Sequence, residues 1–266
     1  MEIQIKKASQ ASPRDLVVIA QPKMGKSAIL ADLSVKKNAV ILGLEKGGYE
    51  YLTAKVLDIY DSQESTIFDA YLRYIEYRNQ LLENKGQFEF LAIDVLTELD
   101  RLAEIGGTLE YMYKVPMGKN FNKDPRTGEK YPWGHPEFKS VLTLPDGAGY
   151  NHTRKWFMDQ IEIFSQIAPY RIYVAHVADK YVKDGGREDV VGSEIALTGK
   201  LKSIFSARVT TLCKLVADRN DRFLSFDVAN DSIIAGSRAP WLKGQIKISS
   251  LKDDGTIETY WESIYK

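Results

Sequence analysis

A glycine, a lysine and a serine stand in a row at Gly25-Lys26-Ser27, separated by four residues from the apolar run Leu16–Ala20 and at the start of a helix-forming stretch. A cation and a hydroxyl placed there suit an anion. Backbone N–H groups at a helix N-terminus face a phosphate, the lysine neutralises its charge, and the hydroxyl coordinates a bound Mg²⁺. The strict pattern G-x-x-x-x-G-K-[ST] asks for glycine at position 20, where the chain has Ala20. A methyl group is tolerable at that strand-to-loop junction if φ is negative. The segment Ala20, Gln21, Pro22, Lys23, Met24, Gly25, Lys26, Ser27 and Ala28 is therefore the expected phosphate loop.

Three further polar residues end or follow apolar strands and could complete such a site. Asp94 closes FEFLAID and is the expected second Mg²⁺ ligand beside Ser27. Glu45 lies just past AVILGL, on the rim where an open parallel sheet binds ligands, and could orient an attacking water. His176 closes RIYVAH and could donate to a phosphate. The plain alternatives are a helix-capping aspartate, a solvated loop glutamate and a structural histidine. His135, His152 and His176 lack metal-ligand spacing, and Cys213 is the single cysteine.

These residues need a scaffold. LVVIA (16–20), a helix from Lys26 to Lys36 carrying Ile29, Leu30 and Leu33, and AVILGL (39–44) make a strand–helix–strand unit, hence a parallel sheet. Apolar spacing predicts a helix over Thr66–Asn84 with Ser65 as its cap, a strand at 88–94, a helix at 97–105, and a helix around Phe157–Ala168. From Gly106 to Tyr150, five of the nine prolines and seven glycines interrupt any periodicity, so about 106–150 reads as a long insertion. Its lysines and aromatics, Tyr111, Phe121, Tyr131 and Trp133 among them, suit a nucleic acid or a partner protein. Strands are expected at 209–217, 222–229, 245–251 and 256–262, the last two as a hairpin at about 245–262 across Asp253–Thr256. The whole of 1–266 reads as one α/β domain, a mainly parallel central sheet flanked by helices with antiparallel strands at its C-terminal end.

In order and type, these elements resemble a RecA-superfamily P-loop ATPase core of the RecA and DnaB kind. AAA+ and ABC-like motors place the catalytic glutamate directly after the metal-side aspartate, but residue 95 is Val. In the RecA type that glutamate ends the strand after the phosphate-loop helix, which is the place of Glu45. The resemblance implies ATP and Mg²⁺ as ligands, with Lys26, Glu45 and His176 as catalytic or sensing residues. It also implies single-stranded DNA as a partner of the loop after His176, through Lys180, Tyr181, Lys183, Arg187, Lys200 and Lys202, with Gly185-Gly186 as a hinge. Arg238, in IIAGSRAPWLKG, matches the arginine of a K-x-R pair that reaches a neighbouring subunit's nucleotide, while Gly236 stands in the lysine's place. The expected assembly is a homo-oligomeric ring or filament with nucleotide at the interface. The chain length and the GSEIALTGKLKS segment further resemble small phage nucleotide-binding proteins of single-strand annealing, recombination or replication.

Other classes fit less well. An ATP-gated scaffold is the alternative. A nucleotide kinase would need an arginine-rich lid, but the insertion holds only Arg126, and a GTPase would need N-K-x-D. Net charge is zero, so contact with nucleic acid must be local. The lack of an apolar span near 18 residues, of an apolar run behind the N-terminal lysines, and of a second cysteine points to a cytoplasmic protein, in a bacterial host if of phage origin.

Overall fold

Alternation along the strands sorts the chain into two apolar layers. In β1 (Asp15–Ala20), Leu16, Val18 and Ala20 face one core and Val17 and Ile19 the other, and all five are buried. Both faces of the strand are covered, which is why it reads as continuous hydrophobic sequence. The computed structural model describes residues 12–184, 187–227 and 235–266, with side chains described throughout except at 179–192. The N-terminal segment, the Gly185-Gly186 hinge and the ends of the 222–229 and 233–244 segments lie outside the described residues.

The remaining elements are α1 (Lys26–Lys36), β2 (Ala39–Gly43), β3 (Val56–Asp58), α2 (Ile67–Glu83), β4 (Phe90–Asp94), α3 (Leu96–Lys114), α4 (Gly149–Ile167), β5 (Tyr170–Asp184), β6 (Arg187–Ile195), α5 (Leu201–Arg208), β7 (Thr211–Asp218), β8 (Asp221–Ser225), β9 (Gly236–Ser237), β10 (Gln245–Leu251) and β11 (Ile257–Thr259). The main sheet has the order β11-β10-β8-β7-β1-β5-β4-β2-β3. The run β7-β1-β5-β4-β2-β3 is parallel, and β8, β10 and β11 add antiparallel pairs at one side. This is the expected mainly parallel central sheet with antiparallel strands at its C-terminal end, and the strand carrying His176 lies between those carrying the phosphate loop and Asp94. Ile29, Leu30 and Leu33 of α1 pack on one face with Trp261 and Ile264, and α2 to α5 supply Tyr74, Leu99, Phe157 and Phe205 to the other.

Four boundaries differ from the sequence reading. The cap of α2 is Thr66 rather than Ser65, because Asp69 three residues on completes a reciprocal capping box. Helix α3 does not stop at residue 105 but continues through Gly106-Gly107 to Lys114. A Cβ on Gly106 would lie 2.1 Å from the Trp156 ring, and one on Gly107 would lie 3.0 Å from the α4 backbone at His152 and Thr153. These glycines let two helices approach; they do not break one. The insertion thus shrinks to 115–148, and α4 begins at Gly149. The segment after His176 is an antiparallel hairpin of β5 and β6, rather than an irregular loop. Finally, β11 ends at Thr259, and a 3-10 turn follows at Trp261–Ser263.

Candidate active site

Register places the chemistry at one rim of the sheet. Ala20 pairs with His176, Gly43 with Asp94, and Asp94 with Val174, so the C-terminal ends of β1, β2 and β4 and the middle of β5 meet there. Ala20, Asp94 and His176 share the side-chain parity of Val18, Ala92 and Val174, which face α1. The loop and the polar side chains are aimed at each other by strand alternation alone.

Ala20 has no positive φ and lies within β1, so glycine is not required there. Gly25 does need to be glycine. It caps α1 at φ 87°, and open space surrounds the position a Cβ would take. No side chain caps α1, and its first turn holds no acidic residue. Its leading N–H groups and the helix dipole are therefore available to an anion.

Lys26 is 8% exposed, and its Nζ donates to Gln21 O at 3.1 Å and to His176 Nδ1 at 3.3 Å. Burial draws its ammonium below the ordinary lysine range, and the Asp94 and Glu45 carboxylates pull the other way. Because an ammonium only donates, His176 Nδ1 is the acceptor and Nε2 carries the hydrogen. That nitrogen is 3.8 Å from Glu45 Oε1, longer than a direct hydrogen bond. Lys26, His176 and Glu45 form a row running from the phosphate loop to the candidate base. Glu45 itself is half-exposed, where water can reach it.

Asp94 is 1% exposed, and its Oδ2 accepts from Ser27 Oγ at 2.8 Å and Tyr49 OH at 2.7 Å. Its Oδ1 is buried without a partner. Burial raises the carboxyl above the usual carboxylate range, and the Tyr49 and Ser27 hydrogen bonds act in the opposite direction. An orphan carboxylate oxygen beside a serine hydroxyl fits a hydrated divalent cation that is otherwise held by phosphates. Among the described residues no cluster of three His, Cys, Asp or Glu could hold a metal alone. Ser27 and Asp94 are the residues that would share Mg²⁺ with a nucleotide.

Several neighbours carry no signal in the sequence. Tyr49 meets Asp94 from a loop 45 residues away. Thr97 Oγ1 accepts from the His176 N–H at 3.4 Å. Glu98, in the first turn of α3, pairs with Arg101, and burial raises its carboxyl, with a smaller push from Glu45. Arg222 on β8 donates to Met24 O at 3.2 Å and braces the phosphate loop. Only the fold brings these residues in.

The other expected site residues lie apart. Arg238 is exposed at the opposite rim, where its Nη2 donates to Ala207 O at 2.8 Å and its N–H to Thr210 O at 2.9 Å. It cannot reach the phosphate loop of its own chain. The side chains of Lys180, Tyr181, Lys183 and Arg187 lie outside the described residues. Lys200 is exposed at the N-cap of α5, whereas Lys202 is paired with Glu194. The insertion is tied to itself and to α2: Trp133 stacks on Phe68 of α2 at 5.7 Å, Tyr131 on His135 at 4.4 Å, and Lys130 donates to the carbonyls of Gly118, Lys119 and Phe121. Tyr113 and Met117 remain exposed. No helix among the described residues is long and apolar enough to cross a membrane.

The crystal structure of the RadB recombinase is similar to 94% of this chain and 92% of its own, at 10% identity and a TM-score of 0.44, too distant to carry residues or activity across. No curated protein matches the chain. A family model described as an AAA domain matches residues 12–239. That description does not restore an acidic pair after β4, since the residue following Asp94 is Val95. With its phosphate loop, strand-end aspartate and inserted histidine strand, the chain belongs to the AAA domain family of P-loop NTPases.

Proposed function

We propose that the chain is a Mg²⁺-dependent ATPase coupled to single-stranded DNA, acting in a homo-oligomer during phage-type recombination, annealing or replication. The observation that carries this reading is the convergence of Lys26, Ser27, Asp94, His176 and Glu45 at one rim, with β5 running on from His176 into a hairpin. In this reading Lys26 leaves Gln21 O and His176 for the β- and γ-phosphates, whose charge the α1 N-terminus also stabilises. Glu45 orients the attacking water and takes its proton. Mg²⁺, held by Ser27 and Asp94, supplies charge neutralisation on the phosphates. His176 loses its Lys26 contact when nucleotide arrives and passes that change along β5.

Coupling to DNA draws on the β5–β6 hairpin, whose sequence holds Lys180, Tyr181, Lys183 and Arg187, and on exposed Lys200 beside it. Cations mixed with an aromatic face suit a single strand. Arg238, at the rim opposite the phosphate loop, suits a head-to-tail assembly in which one subunit's arginine meets its neighbour's nucleotide.

The test is ATP hydrolysis with and without single-stranded DNA, in the wild type and in Lys26→Ala and Glu45→Gln. Stimulation by DNA that is lost in Lys26→Ala supports the reading. Nucleotide binding with a change in oligomer size but no stimulation would favour an ATP-gated scaffold. Phosphate transfer to a nucleoside would favour a kinase. A Glu45→Gln protein with normal turnover would remove Glu45 as the base.

A further inference from the structure

Tyr49 is 7% exposed and packs among Val18, Ile41 and Val95, an environment that a phenylalanine ring would fill as well. Its hydroxyl makes one hydrogen bond to a protein side chain, to Asp94 Oδ2 at 2.7 Å. Placing an O–H in an apolar layer is unfavourable unless its partner matters. That partner is the carboxylate whose other oxygen is buried and unpaired. Ser27 donates to the same Oδ2, so two hydroxyls share one oxygen and the other is left without a partner.

The loop that carries Tyr49 also carries Glu45. Leu44 N–H donates to Asp94 O at 2.6 Å, and Gly48 N–H donates to Glu45 O at 3.4 Å. The loop is therefore fixed to Asp94 twice, by its main chain before Glu45 and by a phenol after it. Moving the loop moves the phenol, and with it one of the two bonds that set the carboxylate plane.

Resting on the ATPase reading above, we propose that Tyr49 is a positioning residue of the metal–nucleotide site: it fixes the orientation of the Asp94 carboxylate that would share Mg²⁺ with Ser27, and ties that orientation to the Glu45 loop. A packing role alone would affect nucleotide binding equally with and without metal. A positioning role acts through the metal only.

The experiment measures the affinity of the full chain for a slowly hydrolysed ATP analogue in Mg²⁺ and in EDTA, and takes the ratio. In Tyr49→Phe the EDTA affinity is expected to stay within about twofold, while the Mg²⁺ enhancement falls about tenfold, the equivalent of one charge-assisted hydrogen bond. In an Asp94→Asn background, Tyr49→Phe is expected to change nothing further. An unchanged enhancement in Tyr49→Phe, or equal losses in both conditions, overturns the proposal. If Tyr49→Phe alone does not fold, the Asp94→Asn pair decides, because any further change of affinity there, in Mg²⁺ or in EDTA, overturns the proposal. A wild type with no Mg²⁺ enhancement refutes the ATPase reading itself, an outcome distinct from a normal wild type with an indifferent Tyr49→Phe.

Discussion

Arg171 and His176 stand on the same strand, one at each end of the parallel sheet, and their surroundings are furnished differently. Every guanidinium nitrogen of Arg171 has a partner: Nε and Nη2 meet Asp15 Oδ1 at 2.9 and 2.8 Å, and Nη1 donates to Ala168 O and Pro169 O. At the other end Asp94 keeps an unpaired oxygen, Lys26 leans on a loop carbonyl and an imidazole, and the first turn of α1 lacks a side-chain cap. A buried ion whose hydrogen bonds are complete holds the fold. Buried polar groups with bonds outstanding are preorganised for something that arrives later.

The contrast predicts opposite phenotypes. The largest effect belongs to the open end: Glu45→Gln is expected to lower ATP turnover by about 10²–10⁴-fold with nucleotide affinity retained, read by phosphate release beside equilibrium binding. At the closed end, Arg171→Leu leaves Asp15 unpaired and is expected to cost about 3–5 kcal/mol in denaturant unfolding, with nucleotide affinity of the folded protein unchanged. If Arg171→Leu instead abolished binding at full stability, the division between the ends would fail.

Asp94→Asn sharpens the comparison further. Removing a buried charge with an unpaired oxygen is expected to leave the nucleotide-free protein as stable or about 1 kcal/mol more stable, while the Mg²⁺ enhancement of binding is lost. Because burial raises the Asp94 carboxyl in the folded state, the fold binds that proton more tightly than the unfolded chain does. Wild-type stability contributed by this group is full below the unfolded value and falls as pH rises through the raised one, so the advantage of the asparagine variant grows with pH. Thermal melts across acidic to neutral pH would show it. The smallest effect is expected from Arg238→Ala: exposed and bonded to one carbonyl, it should change stability by less than about 0.5 kcal/mol. Its loss of hydrolysis should appear only at concentrations where the chain assembles.

The ends differ also in how much of them the sequence discloses. The phosphate loop and the residues closing β2, β4 and RIYVAH are legible because short apolar runs followed by polar residues mark strand ends, and strand ends in a parallel sheet share a rim. Ala20 looked like a defect only while the left-handed turn could be at either end of the loop. The structure puts left-handed backbone at Lys23 and Gly25 and none at Ala20. Gly106-Gly107 misleads in the opposite way, since a pattern that reads glycine as a break cannot know that Trp156 needs the space. The charged stretch after His176 reads as a loop because its polar residues hide a strand that is paired only with its own hairpin partner. The Tyr49–Asp94, Arg222–Met24 and Arg171–Asp15 contacts each span 45 residues or more, and no spacing rule reaches that far.

β5 continues for eight residues past His176, from Val177 to Asp184, with one register shift at Lys180–Tyr181. At the usual rise of a strand that is an arm of about 26 Å leading away from the imidazole. A tilt of about 5° at residue 176 would carry the far end of the arm about 2 Å. If nucleotide acts on the imidazole as proposed, gain or loss of a single phosphate contact there would become displacement at a distance, by leverage along the strand.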